Sequence, residues 1–197
     1  MRRVLKGSLL FLCSELVFLC SFLSLCSELA GAETFSLKSS SFKQGDTLSQ
    51  AQVFNGFGCT GKNISPDLQW TKPPEGTKSL ALTVYDPDAP TGSGWWHWVV
   101  FNMPAGTDHI PAGVLADGQG LAAGTIQGRT DFGQAGYDGP CPPEGDKPHR
   151  YQFKIFALKD HIPLDKDASP AMVGFYIHQL RLAEASIEAV YARKPKK

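Results

Sequence analysis

The chain has 197 residues, with 19 basic and 19 acidic side chains, five histidines and a formal net charge of zero. Such a balance offers no basic field for nucleic acid or an anionic membrane surface. Glycine and proline number 20 and 14 in a chain that is 42% apolar. Together they fall short of the ~25–30% that marks disorder, so long ordered loops on a β-rich domain are expected.

The first segment reads as an export leader. Arg2, Arg3 and Lys6 precede an apolar run from Leu9 to about Leu25, and Ala30-Gly31-Ala32 follows as a small-residue cleavage site. The competing reading is a retained anchor, since ~18 apolar residues reach the lower limit for spanning. Glu15 within the run and the small triplet after it favour cleavage, and Leu25 before Cys26 argues against lipid attachment. A leader of residues 1–32 leaves one domain, residues 33–197, periplasmic or secreted and without a membrane span. That domain carries 16 basic against 17 acidic groups.

Cleavage removes Cys13, Cys20 and Cys26 and leaves Cys59 and Cys141. Two cysteines in an exported domain are a natural pair, and the alternative is two separate thiols. A bridge between them would close a long loop, for which chain entropy gives ~4 kcal/mol. No CxxC or tight Cys/His spacing exists, so no structural zinc is expected.

Along the chain, residues 34–37 and 68–70 are short strand candidates. Stronger strands are predicted at Ser79 to Asp86, Trp96 to Met103 and Tyr151 to Leu158, all rich in β-branched and aromatic residues. Loops 104–120 and 128–148 are dense in Gly, Pro and Asp, and loops that long in a compact domain are usually functional. Ser169-Pro170 reads as a helix N-cap followed by proline at the first helical position. Met172, Val173, Tyr176, Ile177, Leu180, Ala183, Ile187, Val190 and Tyr191 then fall on a helical stripe, with Gly174 a kink or division point. The expected architecture is strands first and a helix last.

Several motifs carry nothing. Gly118-x-Gly120-x-x-Ala123 matches a dinucleotide fingerprint only on paper, because it sits in a loop. There is no phosphate loop, HExxH or GxSxG elbow. Asn63-Ile64-Ser65 fits a glycosylation acceptor, although Pro66 follows it.

One cluster survives. Asp86-Pro87-Asp88-Ala89-Pro90 closes one strong strand and Trp95-Trp96-His97-Trp98 opens the next. In an antiparallel hairpin both lie at the same end of the sheet. Strand parity puts Asp86 on the face of Leu80, Leu82 and Val84, and His97 on the face of Val99, Phe101 and Met103. His149 shares parity with Tyr151, Phe153, Ile155 and Ala157, so it too is expected to face inward at a strand start. Two carboxylates and two imidazoles at the mouth of an apolar interior must bond one another, a ligand or water, because each unpaired group costs ~1–3 kcal/mol.

The strings DPDAP (86–90), WWHWVVFNMP (95–104), GPCPPEGDKPHRYQF (139–153) and CTGKNISPDLQW (59–70) resemble the phosphatidylethanolamine-binding protein family, in particular its bacterial Raf-kinase-inhibitor-like branch. The likeness runs from Phe35 to Tyr191. It implies a mainly β fold, a β-sandwich with Greek-key features, a C-terminal helix and a small anion pocket at one end. The family's pocket maps onto Asp86, Asp88, His97 and His149, with Cys141, Pro142 and Pro143 as its wall and Tyr151 as its aromatic. Eukaryotic members usually carry glycine near position 141, so Cys141 is a departure in that wall.

The expected ligand is a small phosphorylated or zwitterionic molecule. Protonated or donor-bearing His97 and His149 would hold phosphate oxygens, and Asp86 and Asp88 would orient the imidazoles and pair with an amine. The resemblance implies a binding module without cofactor or metal, monomeric or homodimeric, modulating a kinase, protease or signalling partner. No Ser or Cys nucleophile with an adjacent base can be named, so no catalytic residue is assigned. The rivals are a metal-dependent phosphoester hydrolase built on the Asp/His cluster and a protein inhibitor acting through loops 104–120 and 128–148.

Overall fold

The computed structural model describes residues 34–195, and the predicted leader lies outside the described residues. Three strands form a small sheet in the order β1 (Leu37–Lys38), β4 (Leu68–Trp70), β7 (His109–Ile110). Five form the main sheet, β10 (Arg181–Tyr191), β9 (His149–Leu158), β5 (Ser79–Asp86), β6 (Trp95–Pro104) and β8 (Ile126–Gln127), with every neighbour antiparallel. A two-stranded hairpin, β2 (Asn55–Gly56) and β3 (Cys59–Thr60), stands apart. Within the main sheet the run β9-β5-β6-β8 has the 4-1-2-3 order of a Greek key.

Both faces of the main sheet are covered. On one, Leu80, Leu82, Val84, Phe153 and Ile155 meet Leu37, Leu68, Trp70 and Ile110 of the small sheet. On the other, Ala81, Val99, Phe101, Phe156 and Leu158 meet Val173 and Ile177 of helix α1 (Pro170–Leu180). That double cover explains why β5 is buried along almost its whole length instead of alternating. Among the described residues no helix is long and apolar enough to cross a membrane.

The C-terminal segment differs from its sequence reading. The helix starts as expected, with the Ser169 side chain accepting from Met172 N–H and proline in the first turn, and Gly174 does not divide it. It ends at Leu180, and Arg181–Tyr191 runs directly on as a strand paired with β9. Ala183, Ile187 and Tyr191 are four apart, a spacing that suits one helix face and one strand face equally. Pairing with β9 decides between them, seating Ala185, Ile187 and Ala189 on the core; tertiary contact overrides helix propensity here.

Cys59 and Cys141 form a disulfide, with Cα atoms 6.0 Å apart. It ties the β2–β3 hairpin to the loop that leads into β9. Arg193 reinforces the tie, donating from Nε to Pro142 O (2.6 Å) and from Nη1 to Gly58 O and Glu144 Oε1 (both 3.3 Å).

Candidate functional site

β5 ends at Asp86, and the chain reverses through Pro87–Gly94. Asp86 Oδ1 accepts from Asp88 N–H (2.8 Å), an Asx turn that starts the reversal. The loop returns at Gly94, with φ 69°, where a Cβ would lie 2.1 Å from the Tyr85 hydroxyl and 2.7 Å from Asp86 O. Only glycine permits β6 to begin there.

The register of β6 places His97. Asp86 pairs with Trp95, Tyr85 with Trp96 and Val84 with Trp98, which leaves His97 as the extra residue of a β-bulge. The bulge turns the imidazole to the Asp86 face, next to Trp98 and Val100 of the main core. Val99 and Phe101 point the opposite way, toward the helix. His97 therefore does not share their face, as simple alternation predicts; it reaches the expected place because the alternation breaks. Met103 returns to the main core through a second irregularity between Leu80 and Leu82, where Asn102 has φ 58°.

His149 opens β9 and donates from Nδ1 to Asp86 Oδ2 at 2.8 Å, both side chains being buried. Its Nε2 lies 3.4 Å from Oδ2 of the half-exposed Asp146, so each ring nitrogen faces a carboxylate. His97 Nδ1 lies 2.6 Å from Asp138 O. A carbonyl only accepts, so the proton sits on Nδ1 and Nε2 is left as an acceptor. Burial pushes the His97 pKa down to about 4, against the Asp138 carbonyl and the Asp86 charge, which favour the cation. At neutral pH this ring is neutral, which corrects the protonated imidazole that the sequence reading allowed.

Asp138 is a buried support for His97: its backbone N–H donates to His97 O at 2.9 Å and Thr130 Oγ1 donates to its carboxylate at 3.3 Å. Burial raises the carboxyl pKa. Next along the chain, Gly139 passes so close that a Cβ would meet Gln52 O at 1.8 Å. Asn63 steadies this wall, donating to Tyr137 O (3.0 Å) and accepting from Gly139 N–H (2.8 Å). That work inside the fold accounts for the asparagine of the Asn63-Ile64-Ser65 triplet.

Asp86, His97, His149, Tyr151, Cys141 and Pro142 line one cavity of about 180 Å³. Tyr151 meets His97 edge-on with ring centroids 5.2 Å apart. Its hydroxyl is buried close to the Asp86 carboxylate but makes no hydrogen bond within 3.5 Å among the described residues. Burial, then the Asp86 charge, raises its ionisation far above the ordinary tyrosine range, so it stays a neutral donor. No Lys or Arg is among the described lining residues.

Asp88 lies elsewhere. Its carboxylate grips Arg150 through backbone N–H (2.9 Å), Nε (2.9 Å) and Nη2 (2.7 Å). Those bonds hold its pKa at about 2. It fastens the loop after β5 to β9 from outside the cavity. Phe57, Trp95 and Phe132 also line the cavity; from sequence, Trp95, Trp96 and Trp98 divide by parity into core and pocket wall or exposed surface, and the signal for Phe57 is a bulky apolar residue inside the glycine-flanked turn Gly56-Phe57-Gly58. Among the described residues no three His, Cys, Asp or Glu side chains are grouped to hold a metal ion.

A family model described as phosphatidylethanolamine-binding protein matches residues 38–192. UPF0098 protein YbcL of Escherichia coli is 53% identical over 167 residues, 84% of this chain and 91% of that protein. UPF0098 protein YbhB of the same organism is 53% identical over 160 residues, 79% of this chain and 99% of that protein. The crystal structure of E. coli YbcL, described as a member of the mammalian PEBP family, superposes with a TM-score of 0.80 over 81% of this chain and 99% of that one.

Proposed function

Because this chain belongs to the phosphatidylethanolamine-binding protein family, we propose that it is an exported, non-catalytic binding protein whose cavity holds a phosphate-bearing or phosphoethanolamine-like head group. The observation that carries this is the Tyr151 hydroxyl, buried near Asp86 with no hydrogen bond within 3.5 Å among the described residues. An orphaned buried donor costs ~1–3 kcal/mol, which a ligand oxygen or water removes. Beside it stand the neutral His97, the Asp86–His149 pair and the loop 139–148 wall. A phosphate oxygen accepts from the Tyr151 hydroxyl, and the hydroxyl of the singly protonated phosphate donates to His97 Nε2. An amine on the same ligand is matched by Asp86, the carboxylate that lines the cavity.

The ordered groups suit holding rather than turnover. His97 Nδ1 and both His149 nitrogens are spent on protein oxygens. The two hydroxyls in the described lining are poor nucleophiles: Thr91 donates to Gly94 O, and burial keeps Tyr151 neutral. The disulfide suits an oxidising compartment, periplasmic or secreted, in keeping with the leader. A kinase, protease or signalling protein is the partner class we assign, with the cavity's occupancy as the signal it reads.

Calorimetric titration of phosphoethanolamine into wild type, Tyr151→Phe and His149→Ala tests the reading. Binding by wild type that weakens in both variants is the expected result. Equal heats from all three proteins would reject it.

A further inference from the structure

Three observations single out the lip of this cavity. Phe57 and Gly58 are the two central residues of the turn between β2 and β3, with φ 50° and 82°. Two positive φ values in a two-residue hairpin loop define a type I′ turn, whose first position suits Asn, Asp or Gly. A phenylalanine there is strained, and the residue is 73% exposed, with its ring against Phe54 and Phe132 but outside both core clusters, so neither backbone nor core accounts for it. Strain of that kind at the rim of a cavity points to use by a ligand.

The second observation is a continuous run of rings. Phe57 lies nearly parallel to Phe132, with centroids 5.7 Å apart and planes 14° apart. Phe132 in turn meets Trp95 at 5.5 Å and His97 at 5.4 Å, both edge to face. The run leads from the exposed turn down to the floor beside Tyr151.

The third is what the lining lacks. Apart from Ala89 and the bridged Cys141 its apolar part is aromatic and proline rings, with no Leu, Ile, Val or Met among the described lining residues. An acyl chain would find no branched aliphatic surface, whereas ring faces and edges suit another ring. The cavity, about 180 Å³, is below the ~300–1,000 Å³ of drug-sized sites, which matches a head group bearing one ring.

We propose that Phe57, Phe132 and Trp95 form a specificity subsite for an aromatic ring on the ligand, so that the preferred ligands are aryl esters of the head group rather than diacyl lipids. The inference rests on the head-group reading above and names its ligand class. The subsite is largely preformed, because the Cys59–Cys141 bridge and Arg193 hold the hairpin against the opposite wall. A rigid lip spends little ordering entropy on binding.

The test compares phenyl phosphate with butyl phosphate on wild type, Phe57→Asn and Phe132→Leu, by calorimetry and by Trp fluorescence. Phe57→Asn suits the turn and removes only the ring; Phe132→Leu keeps an apolar side chain. Wild type should prefer phenyl phosphate by roughly three- to tenfold, with fluorescence quenching, and the preference should collapse in both variants. Equal affinity for the two esters in wild type, or a preference unchanged in both variants, overturns the proposal. Phosphoethanolamine and benzyl alcohol separate this from the head-group reading. Phosphoethanolamine binding without any aryl preference removes the lip alone. Phe57-dependent binding of benzyl alcohol without phosphoethanolamine binding removes the head-group reading and leaves the lip.

Discussion

His149 Nδ1 donates to Asp86 Oδ2 at 2.8 Å, and both side chains are nearly sealed from solvent. Asp86 closes β5 and His149 opens β9, so the bond joins two central strands at the end of the sheet where the cavity lies. The pair is therefore both a structural tie and part of the floor.

Removing one partner should be costly. Asp86→Ala leaves a buried imidazole facing an empty site, for which ~3–5 kcal/mol is the usual penalty of breaking a buried pair. Asp86→Asn keeps an acceptor for Nδ1 and should lose much less. Urea denaturation of the two variants checks this; equal losses would mean that the bond contributes little.

Acid should weaken the fold through His97. Its pKa is about 4 in the folded protein against an ordinary 6.5. Between those values the unfolded chain binds a proton that the folded chain refuses, so stability falls as pH drops from about 6.5 to about 4 and levels off below. The loss is on the order of 3 kcal/mol from this group. His97→Asn keeps a donor for the Asp138 carbonyl and cannot titrate. Chemical denaturation from pH 7 to pH 4 should show a flatter profile for that variant, and parallel profiles would contradict the assignment.

Much of this was legible in the sequence, for reasons that particular residues make plain. Ser79–Asp86 matches β5 to the residue, because a β-branched and apolar run bounded by turn formers has little alternative. Asp86, His149 and Tyr151 come together because parity holds along β5 and β9, which pair without interruption from Ser79 to Tyr85. Parity fails on β6, since a bulge is set by cross-strand register, which a single strand's pattern does not carry. Asp88 stands two residues from Asp86, yet the turn carries it past the strand end to Arg150. Strand β10 was hidden by a four-residue spacing common to both periods. Phe57 and Phe132 come from separate loops, and long-range ties that no local pattern carries bring them together: the Cys59–Cys141 bridge, Phe54 N–H on Pro140 O, and Asn63 on Tyr137 O and Gly139 N–H.

The disulfide and Arg193 should prove coupled. Both fasten the β2–β3 hairpin to the 141–144 wall. Cys59 and Cys141 are 82 residues apart, so reduction releases about 4 kcal/mol of loop-closure entropy to the unfolded chain. Oxidised protein should tolerate Arg193→Met well, because the bridge still holds the wall. Reduced protein should lose more from the same change. Thermal unfolding of wild type and Arg193→Met, each with and without reductant, measures this coupling. Additive losses would show that the two ties act on different segments.

The two aspartates of the DPD turn should separate in function. Asp86 lines the cavity and bonds His149, while Asp88 holds Arg150 from outside it. The Asp88–Arg150 pair is partly exposed, and pairs of that kind contribute little to stability. Asp88→Asn should leave phosphoethanolamine affinity within about twofold of wild type, since a lost surface pair changes free energy by well under the 1.4 kcal/mol that a tenfold change requires. Asp86→Asn should weaken binding by about tenfold or more, because it removes the charge that orients His149 and faces a ligand amine. The acid limit of Asp88 differs as well. Its pKa of about 2 lies below the ordinary 3.8, so its contribution is present above about pH 4 and is lost as pH falls toward 2. Calorimetry on both variants at pH 7 decides the matter: comparable losses of affinity would place Asp88 at the ligand after all.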